Sequence, residues 1–297
     1  MNDSEPPSCS FCKTHSISTK RLTVQKPEPH EIVYRRFENH TNNDATPIIC
    51  VPGLTRTVHD FDFIAQSLSY TNTVYSLEMP GRGSSTYFSD ASHYTYPTYI
   101  NDCQSFISFL NFSSVWWLGT SMGGVIGMFL SSLPNSPITK LVLNDIGYFV
   151  PYSALQQISQ YIKHIGPFPS FEDGVEYLKN VYAQFGNLSY EQWRHFAEGS
   201  LKKVDDQYFL HYDTKIVDAF NAAVENGQNI DLSSVWELVE IPVLLLRGKD
   251  SSVLLKDVAD KMGEKSNCEV VEFDGCGHCP SLMDERHIEI VKNFLFQ

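Results

Sequence analysis

Apolar and polar positions along this chain follow two periods, and the two alternate. Short apolar runs bounded by Gly, Pro, Asn or charged residues read as strands at 17–25, 31–38, 47–51, 72–77, 114–118, 138–144, 241–246 and 268–273. Between them lie stretches with the helical period. Residues 60–70 have it, and Tyr99, Ile100, Cys103, Phe106, Ile107 and Leu110 form one buried face. At the C-terminal end Ile288, Val291 and Leu295 mark another. The first two strands read as a hairpin leading into the domain. Strands alternating with helices predict an α/β protein, a mostly parallel, doubly wound sheet with helices on both faces.

The pattern changes at residue 151. Strand runs vanish up to about 235, and helical stretches with capping boxes take their place, Ser170 with Asp173 and Ser189 with Gln192. An all-helical insertion between the sixth and the following sheet strand would cover the carboxyl ends of the strands as a mobile lid. The expected organisation is a frayed polar tail over 1–16, a first core part over 17–150, the lid over 151–235 and a second core part over 236–297. Most aromatics of the lid, such as Tyr161 and Phe185, are expected to pack its own interior.

Candidate chemistry concentrates where the 114–118 strand meets an apolar helix. Gly119-Thr-Ser-Met-Gly123 joins them, a G-x-S-x-G elbow that presents Ser121 at a tight strand-to-helix turn. The glycines stand where backbones come too close for a Cβ, and the new helix aims free N–H groups and its positive end at the site. After the 47–51 strand, Pro52-Gly53-Leu54 forms the turn that supplies half an oxyanion hole in this plan. The donors are then the backbone N–H groups of Leu54 and Met122. Arg56, beside them, either faces an acidic substrate or pairs with a structural carboxylate. His278 lies on a Gly-flanked loop after the last strand, the place of the base in a Ser…Asp…His order.

Composition narrows the partners. A net charge of −13 argues against nucleic acid or an anionic membrane surface. No apolar run reaches the length of a spanning helix, and the N-terminus lacks the basic and apolar regions of a signal peptide. Seven cysteines at low density fit a reducing, cytoplasmic setting. Cys9/Cys12 and Cys276/Cys279 are too far apart in sequence for a zinc ribbon, so no metal is expected. The Gly-rich turn over 78–85 has neither the lysine nor the spacing of a phosphate cradle.

Taken together, Val-Pro-Gly-Leu-Thr-Arg, Pro-Gly-Arg-Gly-Ser, Gly-Thr-Ser-Met-Gly-Gly, Leu-Val-Leu-Asn-Asp-Ile-Gly, Leu-Arg-Gly and Gly-Cys-Gly-His resemble the α/β-hydrolase superfamily, from about Leu22 onward. The nearest likeness is to its small lid-bearing esterases and enol-lactonases. That resemblance implies Ser121 as nucleophile, His278 as base, Leu54 and Met122 as oxyanion donors, and no cofactor. The acid departs from the pattern. The family's aspartate falls three or four residues after the glycine ending the penultimate strand, where this chain has Ser251 and Ser252. Asp250, one place earlier, is the expected acid, with Asp145 at the end of the preceding sheet strand as the alternative. Pro52 and Glu78 also replace residues common in the family.

The implied reaction is acyl transfer from a small ester-like or lactone substrate through an acyl-enzyme. Two other uses of the same residues stay open: cleavage of an activated carbon–carbon bond or peracid formation, and ligand sensing with slow turnover. A serine at the elbow speaks against the relatives that use an aspartate there.

Overall fold

The computed structural model describes residues 16–38 and 45–297. The expected tail up to residue 15, with Cys9 and Cys12, lies outside the described residues. The first half of the core runs β1 (Ile17–Val24), β2 (His30–Phe37), β3 (Ile48–Val51), α1 (Asp62–Leu68), β4 (Val74–Glu78), α2 (Tyr96–Leu110), β5 (Val115–Thr120), α3 (Met122–Ser131) and β6 (Ile138–Asn144). The second half is β11 (Val243–Gly248), α9 (Lys256–Gly263), β12 (Cys268–Phe273) and α10 (Glu285–Phe296). Between them come β7 (Phe149–Val150), α4 (Tyr152–Tyr161), α5 (Phe171–Val181), α6 (Tyr190–Ser200), β8 (Leu201–Val204), β9 (Gln207–Leu210), α7 (Lys215–Val224), β10 (Ile230–Asp231) and α8 (Ser233–Glu237).

One eight-stranded sheet carries the core, in the order β1-β2-β4-β3-β5-β6-β11-β12. β1 and β2 pair antiparallel, as do β2 and β4; every other neighbouring pair is parallel. The chain leaves β3 for β4 on one side and returns to β5 on the other, which opens a crevice at their carboxyl ends. The central strands are apolar on both faces. Ile49, Trp117 and Leu143 point into one buried cluster, while Cys50, Leu118 and Val142 point into the other. This is why those strands read as continuous apolar runs. The helical periods also hold: α2 buries Tyr99, Cys103, Phe106 and Ile107, and α10 buries Ile288, Val291 and Leu295.

The segment after β6 is not all helical. β8 and β9 form an antiparallel hairpin turned at Asp205, whose φ of 52° an aspartate tolerates well, and β7 pairs with β10. Lys202-Lys-Val-Asp-Asp206 reads in sequence as a solvated charge run, and only Leu201 and Leu210 at the hairpin's base are buried. The two capping boxes are formed as the sequence indicated. This segment is tied to the core by side chains. Thr57 Oγ1 donates to the Gly199 carbonyl at 2.9 Å, Tyr94 Oη to Asp213 at 2.7 Å, and Gln192 Nε2 to the Met283 carbonyl at 3.1 Å. No helix among the described residues is long and apolar enough to cross a membrane.

Candidate active site

β5 delivers Ser121 to the crevice. Its φ of 50° and ψ of −112° lie in a region that a residue with a side chain rarely visits, a strain of about 1–3 kcal/mol that the surrounding packing must hold. The packing is tight on both sides. A Cβ on Gly119 would meet the Gly123 carbonyl at 2.3 Å, and one on Gly123 would meet the Val51 carbonyl at 2.0 Å. Trp117 Nε1 donates to the Gly123 carbonyl at 3.0 Å and holds the turn from beneath.

The loop after β12 carries His278 across to it. Ser121 Oγ lies 3.0 Å from His278 Nε2, and His278 Nδ1 lies 2.7 Å from Asp145 Oδ2. A carboxylate at Nδ1 keeps the proton there and leaves Nε2 as the acceptor for the serine hydroxyl. Asp145 is fully buried directly after β6. Its carboxylate also accepts from the Gly248 N–H at 2.8 Å and from Ser251 Oγ at 2.5 Å. Every oxygen is thus held by a donor, as a buried carboxylate requires.

Asp250, expected as the acid, does not reach His278, whereas the alternative Asp145 does. Asp250 is exposed at the tip of the loop after β11, where its N–H donates to the Cys276 carbonyl at 3.0 Å. Asp145 takes the place on His278 because β6 lies between β5 and β11 in the sheet, one strand from the serine. At the family's usual acid position stands Ser251, and its hydroxyl reaches the same carboxylate.

Leu54 sits in the turn after β3. The Gly53 carbonyl accepts from the Arg56 N–H at 3.2 Å, which turns the Leu54 N–H of the same trans peptide the opposite way. Met122 opens α3, and a first-turn N–H has no acceptor within its own helix. Arg56 is buried and pairs with Asp60 through Nε at 2.8 Å and Nη2 at 2.6 Å, with Ser200 Oγ also on Nη2 at 2.8 Å. Of its two expected roles, the structure shows the structural pair.

A cavity of about 190 Å³ opens over Ser121 and His278. Ile158 and Tyr161 of α4, Val181 of α5 and Phe185 form its apolar wall, while Thr55 and Gln157 bring polar groups. Burial pushes the Tyr161 hydroxyl and the Cys279 thiol well up, so both line the cavity as neutral groups. Among the described residues His59, Asp62 and His195 place possible ligand atoms within 4.8 Å of one another. Arg35 already supplies a cation there, donating to both Asp62 oxygens and lying 2.9 Å from His59 Nδ1. The group is an ion-pair cluster between α1 and α6, since His195 Nε2 lies 3.1 Å from Asp62.

A sheet of this order with a strained serine turn at its switch point defines a class, the hydrolases of α/β type. Residues 48–292 match the Alpha/beta hydrolase family, and the chain belongs to it. It is 36% identical over 273 residues to a 3-hydroxybutyrate-oligomer hydrolase of Cupriavidus necator, covering 89% of this chain and 92% of that one. A crystal structure of a Rickettsia typhi protein superposes with a TM-score of 0.85 at 32% identity, over 95% of this chain and 99% of the other. An α/β hydrolase from Novosphingobium aromaticivorans gives 0.86 at 26% identity, over 94% and 98%. The protein is an enzyme, a hydrolase of the α/β type.

Proposed function

We propose that this hydrolase cleaves small carboxylic esters through an acyl-enzyme, with Ser121 as nucleophile, His278 as base and Asp145 as acid. The observation that carries the reading is the continuous chain from Ser121 Oγ through His278 to Asp145, at 3.0 and 2.7 Å. His278 takes the serine proton as Oγ attacks the ester carbonyl, and the N–H groups of Leu54 and Met122 receive the oxyanion. Asp145 orients the imidazole and stabilises its protonated form. The imidazolium then gives its proton to the leaving alcohol. Water, deprotonated by the same histidine, releases the acid.

The substrate class we propose is a short oligoester of a hydroxy acid. Support comes from the Cupriavidus necator relative, a 3-hydroxybutyrate-oligomer hydrolase, and from a cavity whose volume suits a short acyl chain. In this reading α4 and α5 act as the lid, since their side chains wall the cavity above Ser121. The five buried free thiols among the described residues support a reducing, cytoplasmic setting.

A fluorophosphonate probe should label the native protein, and Ser121→Ala should abolish labelling. In parallel, dimers and trimers of 3-hydroxybutyrate should be converted to monomer by the native enzyme. Equal labelling of the mutant would end the serine-nucleophile reading. Turnover of simple aryl esters without release of monomer would end the substrate assignment alone.

A further inference from the structure

Arg82 stands in the Gly-rich turn after β4, fully buried. Its Nε donates to the Leu54 carbonyl at 2.6 Å, and its Nη2 lies 3.7 Å from Met122 Sδ. Nη1 donates to the Pro80 carbonyl and, at 2.9 Å, lies against the Tyr99 hydroxyl. The guanidinium carbon is 4.9 Å from the centre of the Tyr99 ring. Among the described residues none of these hydrogen-bonding partners is a carboxylate. A buried guanidinium usually pairs with an acid directly. Here the cation instead touches the Leu54 carbonyl and the Met122 sulfur, on the two residues proposed as oxyanion donors.

We propose that Arg82 is a positioning residue of the oxyanion hole: it links the Leu54 carbonyl to the Met122 side chain and brings a positive charge to those two residues. The proposal rests on the ester-hydrolase reading above. When Ser121 Oγ bonds to the carbonyl carbon, the C=O pair moves onto oxygen and a negative charge appears against Leu54 and Met122. A buried charge acts on that oxygen with little screening, whereas a neutral ester in the ground state feels little of it. Such an interaction raises kcat and leaves KM alone.

Arg82→Gln and Arg82→Lys separate this role from simple support of the turn. Each variant is assayed on a short aryl ester, and its affinity is measured for two inhibitors. One is an aryl trifluoromethyl ketone, which adds Ser121 and becomes an oxyanion; the other is the corresponding alcohol, which does not. In Arg82→Gln, kcat and trifluoromethyl-ketone affinity should fall together by about 10–100-fold, less than the loss of a direct oxyanion donor. KM and alcohol affinity should stay within about twofold. Arg82→Lys should lie between, because it keeps the charge and loses the fork. Equal loss of both inhibitors, an unchanged kcat, or a lysine variant as poor as glutamine would overturn the proposal. If Arg82→Gln does not fold, Arg82→Lys alone decides: loss of ketone affinity without loss of alcohol affinity supports it, and proportional loss overturns it. Fluorophosphonate labelling of wild-type Ser121 reports on the hydrolase reading separately.

Discussion

Ser251 and Asp145 meet across neighbouring strands, with the serine hydroxyl donating to the carboxylate at 2.5 Å. The hydroxyl comes from the loop after β11 and the carboxylate from the end of β6. The same carboxylate oxygen faces His278 Nδ1, so Ser251 braces the carboxylate that holds the imidazole.

Asp145→Asn is expected to cut kcat by about 10⁴, the loss seen when a triad aspartate becomes an amide and the histidine takes the wrong tautomer. Asp250→Asn should leave kcat within about twofold, as expected of an exposed side chain away from the reacting groups. Steady-state kinetics on equally folded mutants checks the ranking, and a larger loss at Asp250 would return the role to that residue.

Ser251→Ala should fold and keep Ser121 reactive, yet turn over more slowly. A hydrogen bond to a charged group is worth about 1.5–3 kcal/mol, so a loss of about 10–100-fold in kcat is the expected size. The double change Asp145→Asn with Ser251→Asp tests the geometry from the other side. It restores a carboxylate at the family's usual position and should recover activity over Asp145→Asn alone.

Much of this was legible in the sequence. Strands and helices show because apolar spacing differs between them, and the elbow shows because Gly119 and Gly123 sit where the turn leaves no room for a Cβ. The positions of Ser121 at the turn and His278 on the loop after β12 follow from that punctuation. The contact of Asp145 with His278 did not, because telling it from Asp250 requires knowing that β6 lies between β5 and β11. Ser251 was the available signal: a hydroxyl at the expected carboxylate position implies a carboxylate nearby for it to hold. Arg82 was hidden for another reason. Surrounded by glycines it reads only as part of a tight turn, and the folded structure shows its burial. The β8–β9 hairpin was masked by its lysines and aspartates.

Asp62 should govern acid stability. Burial would raise its pKa, but His59, His195 and Arg35 outweigh that and hold the carboxyl well below the usual range. A depressed folded-state value contributes stability fully present above about pH 4 and lost progressively as pH falls toward that value. Asp62→Asn should cost about 3–5 kcal/mol near neutral pH, since it leaves the largely buried Arg35 guanidinium without its carboxylate partner. It should also flatten the pH dependence of the denaturation midpoint below pH 4. An unchanged slope in the mutant would assign acid unfolding to other carboxylates.

Gly248→Ala should inactivate without touching any reacting group. A Cβ there would meet the Gly277 carbonyl at 2.1 Å, and Gly277 immediately precedes His278. The expected signs are retained secondary structure, lost turnover and weakened fluorophosphonate labelling, read by circular dichroism and gel.

Placing the carboxylate on β6 divides labour between two strand ends. The loop after β11 keeps the task of bracing, through Gly248 and Ser251, and its outermost residues Lys249 and Asp250 are exposed. That tip is therefore an address for chemistry of the experimenter's choosing. A fluorophore on a cysteine introduced at position 250 would stand beside the histidine loop, clear of Ser121, His278 and Asp145.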